Sequence, residues 1–321
     1  MIGPGSACDI VAPVPEVDLV TVGEAFEDLV FSGLRRLPRP GEEIKTSEFM
    51  KTIGGGAVIT AVAASRLGLR TRVLSGLGEE AVARLRREKV GVTNLKRPTE
   101  PHAITAALST PGNRSFVTFN GVNDVLEPRL FPALRRERAG HVHFAFYPRD
   151  CGRWTDVVEG CRARSVTTSW DFGWNEGLLR DRGFPSLVGA LDYVFLNEQE
   201  TLLYARRRTM SEAVSVWRAQ TRCIVLKLGS RGSRWVSARV EVSKAAPRVR
   251  ARDTTGAGDA FNGGFLFGLL RGLPPRACLE AGNFAGAMST RAAGGVDALP
   301  HRRELPAAIR GRRAIRARGV R

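Results

Sequence analysis

The feature of this sequence that most constrains its fold is a repeated alternation of short apolar runs with helical stretches. Residues 18–23, Asp-Leu-Val-Thr-Val-Gly, read as a buried strand. Residues 57–69 follow with the small and apolar spacing of a packed helix, broken at Gly68, and a new strand begins near 71–74. Apolar runs at 141–146, 166–170, 193–196 and 223–228 predict further strands, with helical patterns at 156–164 and 211–219 between them. This rhythm predicts an α/β fold, a mostly parallel sheet with helices on both faces. No repeat and no low-complexity linker interrupts 18–300.

Two stretches break the rhythm. Residues 42–52, and the pair 103–109 and 115–120 around Pro111-Gly112-Asn113, predict strands with a hairpin turn, and neither is followed by a crossover helix. Together they form either a small β lid over a ligand, built from about 26–53 and 103–122, or an edge extension of the main sheet.

Composition narrows the function classes. An apolar fraction of 43% with 25% charged residues excludes a wholly disordered chain. No apolar run approaches the roughly 20 residues of a membrane helix. Residues 1–15 lack the basic region and apolar stretch of a secretory signal, so a cytoplasmic protein is expected. The net charge of +17 invites a nucleic-acid partner, but only six residues are Lys against 43 Arg, a skew that fits coding bias better than a binding face. Eight of the Arg fall in 302–321, which predicts an Arg-rich C-terminal helix or tail, and nucleic acid is not the expected partner. Five cysteines, Cys8, Cys151, Cys161, Cys223 and Cys278, contain no C-x-x-C and fit a reducing compartment. His141 and His143 alternate with apolar residues and read as one strand face rather than metal ligands.

The strongest chemical signal is 253–265, Asp-Thr-Thr-Gly-Ala-Gly-Asp-Ala-Phe-Asn-Gly-Gly-Phe. A helix opening at a glycine turn aims free backbone N–H groups and the positive end of its dipole at one point, a ready anion site. Asp259 lies in the first turn, where a carboxylate can cap the helix or serve as a base beside a phosphate. No G-x-x-x-x-G-K-[ST] loop occurs. Residues 75–81, Ser-Gly-Leu-Gly-Glu-Glu-Ala, fit the loose G-x-G-x-x-A form of a dinucleotide fingerprint, but two acids stand where a pyrophosphate would lie.

Segment 253–265 resembles the second signature of the ribokinase-like carbohydrate kinases, the phosphofructokinase-B type. Ile53-Gly54-Gly55-Gly56 resembles their first, glycine-rich signature. Asn197-Glu198-Gln199-Glu200 looks like their N-x-x-E motif, and Lys227-Leu228-Gly229-Ser230-Arg231-Gly232 like their nucleotide-binding turn. Order and spacing agree over about 18–300, between an N-terminal extension of 1–17 and the 301–321 tail. The resemblance implies a ribokinase-like fold and an ATP-dependent kinase acting on a hydroxymethyl group of a neutral sugar. Asp259 would be the base, with the amides of Gly256, Ala257 and Gly258 holding the transferring phosphoryl group. Glu200, with Asn197, would organise Mg2+ and its waters. Lys227, Gly229, Ser230, Gly232 and Asn283 would border the nucleotide. Asp28, Gly54, Gly55 and Gly56 would meet the sugar. Asp253 and Thr255, with carbonyls around Ser289, Ala292 and Gly294, match a monovalent-cation site for K+. Two copies could pair through the lid.

Three departures stand out. Ile59 would border the substrate, at a position where the family has a sugar-contacting Asn. The segment after Gly78 is short. In 171–175, Asp-Phe-Gly-Trp-Asn, Gly173 and Asn175 replace the Asn and Arg of a D-x-N-x-R element, which weakens an acid-sugar reading. Trp170 and Trp174 fit packing, or sugar stacking. A nucleoside kinase and a non-catalytic sugar-binding homologue remain as rivals.

Overall fold

The computed structural model describes residues 15–111, 113–292 and 294–310. In it the apolar runs form β1 (Val17–Gly23), β4 (Thr71–Ser75), β8 (Ala139–Ala145), β9 (Thr167–Asp171), β10 (Tyr193–Asn197) and β11 (Cys223–Lys227). With β5 (Gly91–Asn94), β12 (Ser233–Ser237) and β13 (Glu241–Lys244) they build a nine-stranded sheet in the order β13-β12-β11-β10-β9-β8-β1-β4-β5. All neighbours pair in parallel except β11–β12 and β12–β13. The central strands are buried on both faces because helices cover both, which is why they read as near-continuous apolar runs. One face packs on Trp154, Trp170, Leu187 and Trp217, the other on Leu67, Phe195, Phe265 and Leu266. The polar β5 and β13 run along the edges with too little apolar pattern to announce themselves.

A second sheet has the order β3-β2-β6-β7, from β2 (Phe26–Ser32), β3 (Glu48–Gly54), β6 (Ile104–Thr110) and β7 (Asn113–Phe119). Its outer pairs are antiparallel and its central β2–β6 pair is parallel. It is a separate small lid, not an edge of the main sheet. Two expectations need correction. Residues 42–47 are not strand: Glu42 accepts from the Arg39 amide at 2.9 Å and from Arg36 at 2.6 Å, closing a local turn that delays the strand to Glu48. And β3 does lead into a crossover helix. It runs through Gly55, at φ +99, directly into the helix Gly56–Leu67, a turn that only glycine makes easily.

Helix packing brings the two glycine-bearing segments together. The helices Gly56–Leu67, Ala257–Leu270 and Pro275–Ser289 lie side by side. A Cβ at Gly263 would stand 2.6 Å from the Thr60 carbonyl oxygen and one at Gly264 2.7 Å from Ala285 Cβ, so glycine sets how closely the helices approach.

Other expectations resolve within this frame. His141 and His143 are fully buried, hydrogen-bonded to Thr167 and Ser169 at 2.7–2.8 Å, and burial pushes them down to about 3 and about 4, so both are neutral. Trp170 is core, stacked 4.4 Å from Phe144, while Trp174 is exposed. In 75–81, Cβ atoms at Gly76 and Gly78 would strike Val122 and His102 of the lid connections. That turn is filled by protein, which leaves no room for a pyrophosphate. Cys151, Cys161, Cys223 and Cys278 are buried free thiols. Among the described residues no helix is long and apolar enough to cross a membrane. Cys8, most of the 1–17 extension and residues 311–321 of the Arg-rich tail lie outside the described residues.

Candidate active site

The carboxyl ends of the parallel strands gather the polar residues, as expected for an open α/β sheet. Asp171 ends β9, Asn197 ends β10 and Lys227 ends β11. Opposite them the helix Ala257–Leu270 begins at Gly256, which takes φ +70 as its N-cap. Among the described residues no side chain caps this helix. The Ala257 amide donates to the Thr254 carbonyl at 3.2 Å, so that part of the expected phosphate cradle is already engaged, while the amide of Gly258 takes no partner among the described residues.

Asp259 projects from this first turn and has no side-chain hydrogen bond among the described residues; it caps nothing. Its carboxyl is pushed up to about 7 by burial and by the nearby Asp171 carboxylate, opposed by Lys227. Lys227 pairs with Asp171, whose same oxygen accepts from Asn262 Nδ2 at 2.7 Å. Desolvation works against ionisation of the pair, but the mutual charge and the Asn262 bond prevail, holding Asp171 low and Lys227 high. Asn262, one turn along the helix from Asp259, is a site residue the sequence reading passed over. Only its partner across the sheet reveals it.

The glycine run lies against two carboxylates. A Cβ at Gly54 would overlap Asp28 Oδ2, and one at Gly56 would stand 3.0 Å from Asp259 Oδ1. Asp28, on β2 of the lid, is pushed up to about 6 by burial alone. Ile59 is 3% exposed, and its δ-methyl would lie 2.6 Å from a Cβ at Gly256. It therefore packs beneath the anion turn, filling space where a polar Asn would need partners.

A cavity of about 540 Å³ adjoins the turn. Lys227, Gly229, Ser230, Gly232 and Asn283 all line it, joined by the segment 246–251 and by Phe261, which the sequence pattern did not single out. Asn283 is largely spent on the wall, donating to the Lys244 carbonyl at 2.9 Å. Asn197 is not among the lining residues. It forms a capping box with Glu200: the Glu200 amide donates to Asn197 Oδ1 at 2.8 Å, and the Asn197 amide to Glu200 Oε2 at 2.8 Å. Burial and the Asp171 carboxylate raise Glu200, with Lys227 opposing. Asp171, Glu200 and Asp259 thus hold three carboxyls around one lysine. Among the described residues no three such groups are placed to hold a metal directly, so a divalent cation would have to come with the nucleotide and be held near Glu200 through water, the usual habit of Mg2+.

The donors expected for a monovalent cation are differently employed. Asp253 Oδ1 accepts from the Thr255 amide at 2.8 Å and from Arg114 Nη1 at 2.6 Å, and Oδ2 accepts from the Gly294 amide at 2.9 Å. The Thr255 hydroxyl also touches Arg114. Ser289 Oγ donates to the Gly286 carbonyl at 2.8 Å, and Ala292 lies in the bend after that helix. A K+ ion needs oxygen lone pairs, and the two side chains that would supply them hold a guanidinium instead. They do not fit the ion.

Comparison with known proteins follows the same residues. The pfkB family of carbohydrate kinases matches residues 17–302. The chain belongs to this family. It is a sugar kinase, and ATP is the donor such kinases use. Among its relatives, the ribokinase of Bacillus subtilis is 25% identical over 90% of the kinase and 98% of that protein. The acarbose 7(IV)-phosphotransferase of an Actinoplanes strain is 30% identical over 88% and 89%. The solved structure of Arabidopsis thaliana ribokinase, complexed with ribose and ATP, superposes with a TM-score of 0.73 at 22% identity, covering 90% of the kinase and 97% of that chain. The ribokinase-like fold expected from the sequence is the fold observed.

Proposed function

We propose that this kinase transfers the γ-phosphoryl group of ATP to a hydroxymethyl group of a neutral sugar, with Asp259 as general base. The observation that carries this is the Asp259 carboxyl, without a hydrogen-bond partner among the described residues and set between the start of the Ala257–Leu270 helix and the bare Gly56 backbone. Asp259 takes the hydroxyl proton as the sugar oxygen forms its bond to the γ-phosphorus, and ADP leaves with the electrons of the breaking P–O bond. The Gly256–Gly258 turn receives the charge on the phosphoryl oxygens, and Asp28 and the 54–56 backbone hold the sugar hydroxyls. Glu200 and Asn197 would hold Mg2+ through its waters, and the ion would supply charge neutralisation at the phosphates.

A neutral acceptor is favoured because Lys227 is committed to Asp171 and no arginine stands at 173 or 175 to grip a substrate carboxylate. Turnover of ATP against hexoses, pentoses, keto-sugars, sugar acids and nucleosides tests the assignment. Phosphorylation of a neutral sugar supports it. A preference for nucleosides, or no turnover at all, defeats it. The exposed Phe49, Phe116, Val117 and Phe119 of the lid support pairing of two copies through that sheet, which sedimentation of the Phe116→Glu variant tests.

A further inference from the structure

Arg114 connects the lid to the loop behind the anion turn. It is the second residue of β7, held in place by a bond of 3.1 Å from its Nε to Ser109 Oγ, its register partner on β6. Its Nη1 reaches Asp253, which is 6% exposed, and Thr255. Asp253 lies three residues and Thr255 one residue before Gly256, where the phosphate-holding helix starts. A guanidinium offers five donors in a plane and no acceptor, and it stays charged at every working pH.

We propose that Arg114 is a tethered substitute for a monovalent cation: the lid, rather than the solvent, supplies the positive charge that fixes the 253–256 loop. It is a positioning residue, acting through Asp253 on the turn that receives the phosphoryl group. The proposal rests on that turn being the phosphate site. Three consequences follow. The kinase works without potassium. The loop is fully ordered only when β7 is docked on it. Removal of the guanidinium exposes the oxygen donors Asp253 Oδ1 and Thr255 Oγ1, which a K+ ion can then use.

The test compares wild type, Arg114→Ala, Arg114→Gln and Arg114→Ala/Asp253→Asn in KCl and in tetramethylammonium chloride at equal ionic strength. Thermal unfolding needs no substrate, so it reports even if the sugar-kinase reading fails. Wild type is expected to unfold at the same temperature in both salts. Arg114→Ala and Arg114→Gln are expected to gain several degrees from K+, and the double variant to lose that gain. With a sugar that wild type turns over, kcat of Arg114→Ala in tetramethylammonium should fall on the order of 10-fold, less than for loss of a direct oxyanion donor. Potassium or guanidinium should restore most of it. A wild type that K+ stabilises or activates severalfold overturns the proposal. So do single variants that fold and show no response to K+ in either measurement.

Discussion

Gly56 and Asp259 face each other across the site: a Cβ added at Gly56 would stand 3.0 Å from Asp259 Oδ1 and 2.9 Å from Ala145 Cβ. The two motifs that bear them lie far apart in sequence, yet each is shaped by the other. The glycine leaves a narrow gap beside the carboxylate proposed as the base.

That gap is directly testable. Gly56→Ala should lower kcat/KM by roughly 10- to 100-fold, because displacing a reacting group by about 1 Å is worth that much. Circular dichroism should show a folded protein, since the substitution falls at the first position of a helix. An alanine variant with wild-type kinetics would mean that nothing reacts in this gap.

The raised Asp259 carboxyl sets a pH profile. A base acts only when ionised, so kcat/KM should fall as pH drops through about 7, the value for the free enzyme. Asp259→Asn should lower kcat by about 10²- to 10⁴-fold and flatten that limb, while binding of a nonhydrolysable ATP analogue changes little. Rates independent of pH between 5.5 and 8 would argue against the assignment.

Asp28 carries a cost in stability. Its folded value, about 6, lies above the ordinary aspartate value of 3.8, so the folded state favours the protonated form. Its contribution is greatest below the unfolded value and is lost as pH rises through about 6. Asp28→Asn should therefore raise Tm by about 2 °C or more at pH 8, with no gain at pH 4, and should weaken sugar binding. An equal effect on Tm at both pH values would contradict this.

Lys227 and Asp171 form a largely buried pair. Removing only the lysine, as in Lys227→Met, leaves a buried carboxylate and should cost about 3 kcal/mol in urea unfolding. The Asn262 bond to Asp171 offsets part of that loss. Asp171→Asn/Lys227→Met should recover much of the stability, and because it removes both the carboxylate that raises Asp259 and the lysine that opposes it, the pH at which kcat/KM falls should not rise. Additive losses in the double variant would show that the two residues do not act as a pair.

The sequence by itself determined the elements whose signal is local. Apolar runs such as 193–196 and 223–228 announce central strands because burial on both faces leaves no polar positions. The glycine turn before Asp259 announces a helix start because glycine takes a positive φ without strain. Gly229, Ser230 and Gly232, which line the cavity beside the anion turn, were legible as a group because one turn carries them together. Tertiary structure decided what depends on a partner distant in the chain. Ile59, read as a substrate contact, is buried under Gly256 by helix packing that its own neighbours do not encode. Asn262 gained its role only through Asp171, and Arg114 only when the lid brought β7 to Asp253. A hydrogen bond or ion pair is a property of two atoms about 3 Å apart. A pattern read along one segment cannot show which distant segment will supply the second atom.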